Sequence, residues 1–165
     1  MKQYNRKLSV NSDDLIIEIG PGLGNLTKRL CEKAGHVIAI EIDSNMVKIL
    51  ETEYSHLKNL IILNEDIMKV DLKSVIDKVD GVSNVKVVAN LPYYITTPII
   101  MKLLEEELDI ESITVMIQKE VAQRLIANPG NKLSGAITYC VYYYAESESV
   151  MLVENNSFIP EPEVQ

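Results

Sequence analysis

The chain has 165 residues, enough for one domain around a single core, and its 47% apolar and 24% charged content is that of an ordinary folded protein. No apolar run reaches the roughly 18–20 residues of a bilayer-spanning helix and no leader pattern opens the chain, so a cytoplasmic protein with no membrane attachment is expected. The net charge of −8 argues against a self-sufficient nucleic-acid binder, and the two distant cysteines, Cys31 and Cys140, argue against a disulfide framework or a zinc site.

Leu15–Ile19 is a short apolar run stopped by Gly-Pro-Gly, the pattern of a buried strand with a sharp turn. Asn25 to Ala34 carries Leu26, Leu30 and Cys31 at helical spacing. Val37–Ile40 predicts a second strand, Met46–Leu50 the start of a second helix, and Leu60–Leu63 a third strand. Leu72, Val75, Ile76 and Val79 mark another helical face before a fourth strand at Val85–Ala89. Pro98 stands in the first turn of a helix that runs to Leu108, because proline is tolerated where the backbone N–H has no partner. Ile113–Ile117 predicts a fifth strand and Glu120–Ala127 a helix ended by Asn128-Pro129-Gly130. Ala136–Tyr144 and Val150–Val153 are expected to pair as a hairpin across the polar turn Glu146–Ser149. Strands alternating with helices predict an α/β, doubly wound and mostly parallel sheet with right-handed crossovers.

In such a sheet ligands bind beyond the carboxyl ends of the strands, near the point where strand order reverses. Gly20, Gly22 and Gly24 follow the first strand, where the backbone must approach a ligand closely. Asn25 replaces the third glycine of a dinucleotide fingerprint, which disfavours a nucleotide-dependent oxidoreductase. Glu41, at the end of the second strand, is placed to accept from ribose hydroxyls, and Asp66, after the third, from an adenine amine. Singly, Glu41 is equally a solvated strand-end charge and Asp66 a cap for the segment that follows. Acids after successive strands, with the glycine turn, point to a nucleoside cofactor.

Asn90-Leu91-Pro92-Tyr93 follows the fourth strand. The Asn90 side-chain oxygen and the Leu91 carbonyl are two acceptors for a flat exocyclic amine, Pro92 fixes the carbonyl, and Tyr93 offers a stacking face. If the cofactor is S-adenosylmethionine, both acceptors would aim an adenine N6 at its methyl group in line with sulfur. Phe158, the single phenylalanine, is read as either a second stacking wall or an anchor for its loop.

The segments EIGPGLGNLT (18–27), AIEID (39–43), NEDIM (64–68), NLPYYITTPII (90–100), MIQKEVAQRL (116–125) and FIPEPEV (158–164) together resemble the KsgA/RsmA-type ribosomal RNA small-subunit adenine N6,N6-dimethyltransferases. The resemblance implies a class I methyltransferase (Rossmann-like) fold with a seven-stranded sheet whose last strand is antiparallel, helices on both faces, and S-adenosylmethionine as cofactor. It implies dimethylation of two adjacent adenines in the 3′-terminal hairpin of small-subunit rRNA, the expected partner being that rRNA within an immature 30S particle; a monomer without a metal is expected. Carried over residue by residue, Glu18, Gly20 and Gly22 line the methionine and ribose side, Glu41 takes the ribose hydroxyls with Ile42 on the adenine, and Asp66 and Ile67 address the adenine edge. Asn90, Leu91, Pro92 and Tyr93 form the target-base site, with Asn90 also beside the cofactor and Phe158 as the opposite wall. The family's Gln-Asn-Phe-Leu segment has no match in Met1–Val10, and its helical RNA-gripping domain would follow Gln165; residues 1–165 are therefore expected to be a catalytic domain truncated at both ends.

Two other functions fit parts of the pattern. A 23S rRNA adenine N6-methylase of the macrolide-resistance type shares the chemistry, but the Pro-Gly-Leu-Gly turn, Tyr93-Tyr94 and Gln118-Lys119-Glu120 favour the small-subunit enzyme. A non-catalytic module that binds RNA during ribosome assembly would not need Asn90 and Glu41.

Overall fold

The computed structural model describes residues 9–154, in two compact units. The first comprises the residues up to Leu91 together with Leu108–Met116; the second comprises Pro92–Glu107 and the residues from Ile117 onward.

The first unit is a five-stranded parallel sheet flanked by helices. Its strands are β1 (Asp14–Ile19), β2 (His36–Glu41), β3 (Leu60–Asn64), β4 (Asn84–Asn90) and β5 (Ile110–Met116). They lie in the order β3-β2-β1-β4-β5, so the chain reverses direction across the sheet between β1 and β4. β1 is buried along its whole length and β2 and β4 nearly so, which explains why their sequences are apolar runs and not alternating ones. The edge strands β3 and β5 are only partly covered.

Helix α1 (Asn25–Cys31) buries Thr27, Leu30 and Cys31 at i, i+3 and i+4. Leu30, Cys31 and Ala34 join Ile16, Val37 and Val88 of the sheet in one apolar cluster. Helix α2 (Ser44–Glu53) starts where the Asp43 carboxylate accepts the Asn45 N–H at 2.8 Å, and buries Val47 and Leu50. Asp71 caps the short helix α3 (Leu72–Ile76) in the same way, through the Ser74 N–H at 3.1 Å.

A charged network closes the amino ends of the inner strands. Asp14, fully buried, accepts from the Lys86 ammonium at 2.6 Å, the Asn11 N–H at 2.8 Å and the Asn84 side chain at 3.1 Å. Lys86 also donates to the Ser9 carbonyl at 2.7 Å and pairs with Glu111 of β5 at 3.6 Å. Burial alone would raise the Asp14 pKa, but the hydrogen bonds and charge of Lys86, with Asn11 and Asn84, hold it below the usual carboxylate value.

In the second unit, α4 (Thr96–Glu105) and α5 (Lys119–Leu125) each pack on α6 (Ala136–Tyr144). Pro98 stands at the third position of α4, where a missing N–H costs nothing. The expected hairpin is not formed: Ala136–Tyr144 is helical, and Val150–Val153 has no regular structure, so the described residues supply five strands and not seven, all parallel. The Gly135 N–H donates to the Thr138 hydroxyl at 2.9 Å, and that hydroxyl donates to the Arg124 carbonyl at 2.6 Å. This cap, with Ile137, Thr138 and Val141 inward at helical spacing, outweighs the strand preference of the tyrosines and β-branched residues. Both cysteines are free, Cys31 buried and Cys140 partly so. No described helix is long and apolar enough to cross a membrane, and the described residues contain no His/Cys/Asp/Glu cluster suited to a metal.

Candidate active site at the carboxyl ends of the strands

The parallel register brings the ends of the strands level. Ile19 pairs with Ile40 on one side and Ala89 on the other, Glu41 with Asn64, and Asn90 with Met116. Glu18, Gly20, Gly22, Glu41, Ile42, Asp66, Ile67, Asn90 and Leu91 therefore all belong to one end of the first unit, as expected.

The glycine turn is built around Glu41. Its carboxylate accepts the Gly22 N–H at 3.2 Å through one oxygen and the Asp43 N–H at 2.9 Å through the other. Gly22 adopts φ +56°, so its N–H can turn back toward β2 while the space beside its Cα stays open. Gly24 has φ +81°, and a Cβ there would collide with the Tyr54 ring and Leu50. The Tyr54 hydroxyl donates to the Leu23 carbonyl at 3.1 Å and ties the turn to the end of α2. The Gly20 N–H donates to the Ile40 carbonyl at 3.0 Å.

Asn64 fixes the residues around Glu41. Its side-chain amide donates to the carbonyls of Glu41 and Ile42, at 2.9 and 3.3 Å, and Ile42 stands 68% exposed beside a buried acid. An apolar side chain held out in solvent at a strand end is a ready surface for a planar ring. Asp66 accepts the Met68 N–H at 3.0 Å, so the capping role is realised, while Ile67 next to it is buried.

Glu18 differs from the other acids. It is 2% exposed, and its Oε2 has no hydrogen-bond partner among the described residues. Burial pushes its pKa up to about 7, with the neighbouring Thr27 hydroxyl pulling the other way. A sealed carboxylate oxygen without a partner suits a cationic or hydrogen-donating ligand group.

Asn90 is exposed at the last position of β4, and Leu91 is buried with its N–H donating to the Met116 carbonyl at 3.1 Å. Pro92 and Tyr93 follow directly in the chain and open the second unit. The Pro92 carbonyl accepts from the Ile95 N–H at 3.2 Å and the Thr96 hydroxyl at 2.9 Å, which locks the turn into α4. Tyr93 is 69% exposed and meets Tyr94 edge-on, ring centroids 5.8 Å apart. Both rings are exposed. Phe158 lies outside the described residues.

Sequence reasoning missed Thr27, Asn64, Asp43 and Tyr54 in this frame. Thr27 alone left a usable trace, a hydroxyl residue on the inward stripe with Leu30 and Cys31. The others act through backbone atoms 22 to 31 residues away or through a turn amide, contacts that no local pattern encodes.

The profile of the family "Ribosomal RNA adenine dimethylase" matches residues 1–165. A ribosomal RNA small subunit methyltransferase A of Lachnoclostridium phytofermentans is 50% identical over 165 residues, 99% of this chain and 57% of the relative. Its namesake in Clostridioides difficile is 49% identical over 156 residues, 94% of this chain and 54% of the relative. The chain thus spans little more than half the length of the curated relatives it matches. Among solved structures, a dimethyladenosine transferase of Plasmodium falciparum superposes with a TM-score of 0.78 at 33% identity, over 94% of this chain and 54% of that one. The 23S rRNA methyltransferase ErmE superposes with a TM-score of 0.76 at 27% identity, over 94% of this chain and 59% of the other.

Proposed function

Because the chain belongs to the ribosomal RNA adenine dimethylase family, we propose that it carries the S-adenosylmethionine site and the adenine-presenting residues of a small-subunit rRNA adenine N6,N6-dimethyltransferase. The observation that carries this reading is the alignment of Glu18, the Glu41-braced glycine turn, Asp66 and Asn90 at one end of the parallel sheet.

The residues suit that cofactor. The buried Glu18 carboxylate suits its ammonium, Glu41 its ribose hydroxyls, exposed Ile42 a face of its adenine, and Asp66 and Ile67 the adenine edge. Bound there, S-adenosylmethionine supplies an electrophilic methyl group. The protein's share is alignment. The Asn90 side-chain oxygen and the Leu91 carbonyl accept the two N6 hydrogens of the target adenine, so that nitrogen's lone pair is drawn out of the ring and toward the methyl. The Leu91 N–H bond to Met116 holds that stretch of backbone in place. Tyr93 stacks on the extruded base, and Phe158 is assigned the other side of it by the family resemblance. No strong base is needed, because the amine becomes acidic once alkylated.

The substrate we assign is the pair of adjacent adenines in the 3′-terminal hairpin of 16S rRNA in an immature small subunit, modified in the cytoplasm by a monomer. Identities of 44–50% to small-subunit methyltransferases, against 27% to a 23S rRNA methyltransferase, favour this over the large-subunit reaction. Calorimetric titration with S-adenosylmethionine tests the cofactor half: saturable binding is expected, lost in Glu41→Ala and partly kept in Glu41→Gln. Absence of binding by the folded wild type rejects it.

A further inference from the structure

Among the described residues of the first unit, two side-chain polar atoms are sealed from solvent without a hydrogen-bond partner: Oε2 of Glu18 and the hydroxyl of Thr27. Their residues are 2% and 0% exposed. Burying one such atom is unfavourable, and two on neighbouring side chains call for a reason. Thr27 is buried because α1 turns it inward with Leu30 and Cys31. A valine would fill that space equally well, so packing does not explain the hydroxyl.

The surroundings leave Thr27 as the group that answers to the Glu18 charge. Across the sheet Glu18 is flanked by Ala39 of β2 and Val88 of β4, and the turn after β1 carries no charged residue. Cys31 faces it from α1, but burial and the nearby Glu18 charge push that thiol up to about 11, so it stays neutral. Burial favours the protonated carboxyl, with a midpoint of about 7, and the Thr27 hydroxyl opposes burial.

We propose that Thr27 is a positioning residue acting through Glu18: as the carboxyl ionises, the Thr27 hydroxyl closes on Oε2 and fixes the other oxygen toward the cofactor's cationic end. The proton leaves to solvent as the ligand's ammonium takes its place. This rests on the assignment of S-adenosylmethionine to this end of the sheet. A neutral Glu18 has little to offer a cation; an ionised one held by a single hydroxyl has both charge and direction.

The test uses Thr27→Val and Thr27→Ser in the full chain. Carbon-13 NMR titration of Glu18 without ligand is expected to give a midpoint about one pH unit higher in Thr27→Val, and a wild-type midpoint in Thr27→Ser. Affinity for S-adenosylhomocysteine, which keeps the same ammonium, is expected to fall about fivefold at pH 7 in Thr27→Val and to recover in Thr27→Ser. A lower melting temperature with an unmoved midpoint and unchanged affinity overturns the proposal and makes Thr27 a packing residue. Equal affinity in wild type and Thr27→Val also overturns it while leaving the cofactor assignment standing. A wild type that never binds S-adenosylhomocysteine overturns the assignment and, with it, the role of Thr27.

Discussion

The two ends of the same sheet treat buried charge in opposite ways. At the amino end Asp14 collects a lysine, a side-chain amide and a backbone N–H, and Lys86 also reaches one carbonyl and a second acid. At the carboxyl end Glu18 is buried with one oxygen unpartnered, glycines take left-handed conformations, and Asn90 stands exposed. Strand β1 carries both acids, four residues apart. The difference separates an end whose acid is satisfied by folding from one whose buried acid keeps an oxygen without a partner among the described residues. A paired buried ion serves the fold; an unpaired one lowers stability and stays ready for a partner.

Substitutions that separate the two ends sharpen that contrast. Asn90→Ala should lower methyl transfer to unmethylated small-subunit particles by about 10³-fold or more, measured with radiolabelled cofactor, while melting and particle binding change little. A loss of particle binding instead would break the assignment of Asn90 to the target base. Lys86→Ala should do the reverse. It strands Asp14 and should cost about 3–5 kcal/mol in urea unfolding, with cofactor affinity of the folded fraction unchanged.

The ends should also answer pH with opposite signs. The folded-state pKa of Glu18 is raised from 4.5 to about 7, so the folded state binds a proton the unfolded chain lacks. Stability should fall by about 3 kcal/mol as pH climbs through that window and then level off, and Glu18→Gln should flatten the curve. The Asp14 pKa is lowered in the fold, so its contribution is full above the ordinary carboxylate range and is lost as pH falls through the lowered value. If Glu18→Gln leaves the slope between pH 5 and 7 untouched, the carboxyl end holds no strained acid. The smallest effect is expected from Gly24→Ala, where a Cβ at φ +81° meets Tyr54 and Leu50. A loss of about 1–3 kcal/mol, with weaker cofactor binding through the displaced turn, would show that the turn's shape is part of the site.

Five strands, four of the crossover helices and the placement of most candidate residues were legible because each rests on a local rule. Apolar runs bounded by glycine mark buried strands, and parallel topology then puts every strand's end on one side. Ala136–Tyr144 failed as a strand because two signals conflicted: its tyrosines and β-branched residues favour extension, whereas the Gly135–Thr138–Arg124 bonds and its inward stripe favour a helix. The deciding bond crosses to another helix and is invisible in the segment itself.

By itself the sequence determined the parallel sheet and the gathering of Glu41, Asp66 and Asn90 at the carboxyl ends of its strands. Those follow from periodicity and turn residues, which act over a few positions along the chain. Only the tertiary structure decided that Glu41 braces Gly22, that Asn64 holds Ile42 out, that Lys86 neutralises Asp14, and that Glu18 and Thr27 are buried together unpaired. Hydrogen bonds and desolvation depend on which atoms meet in space, and those partners come from separate strands and helices.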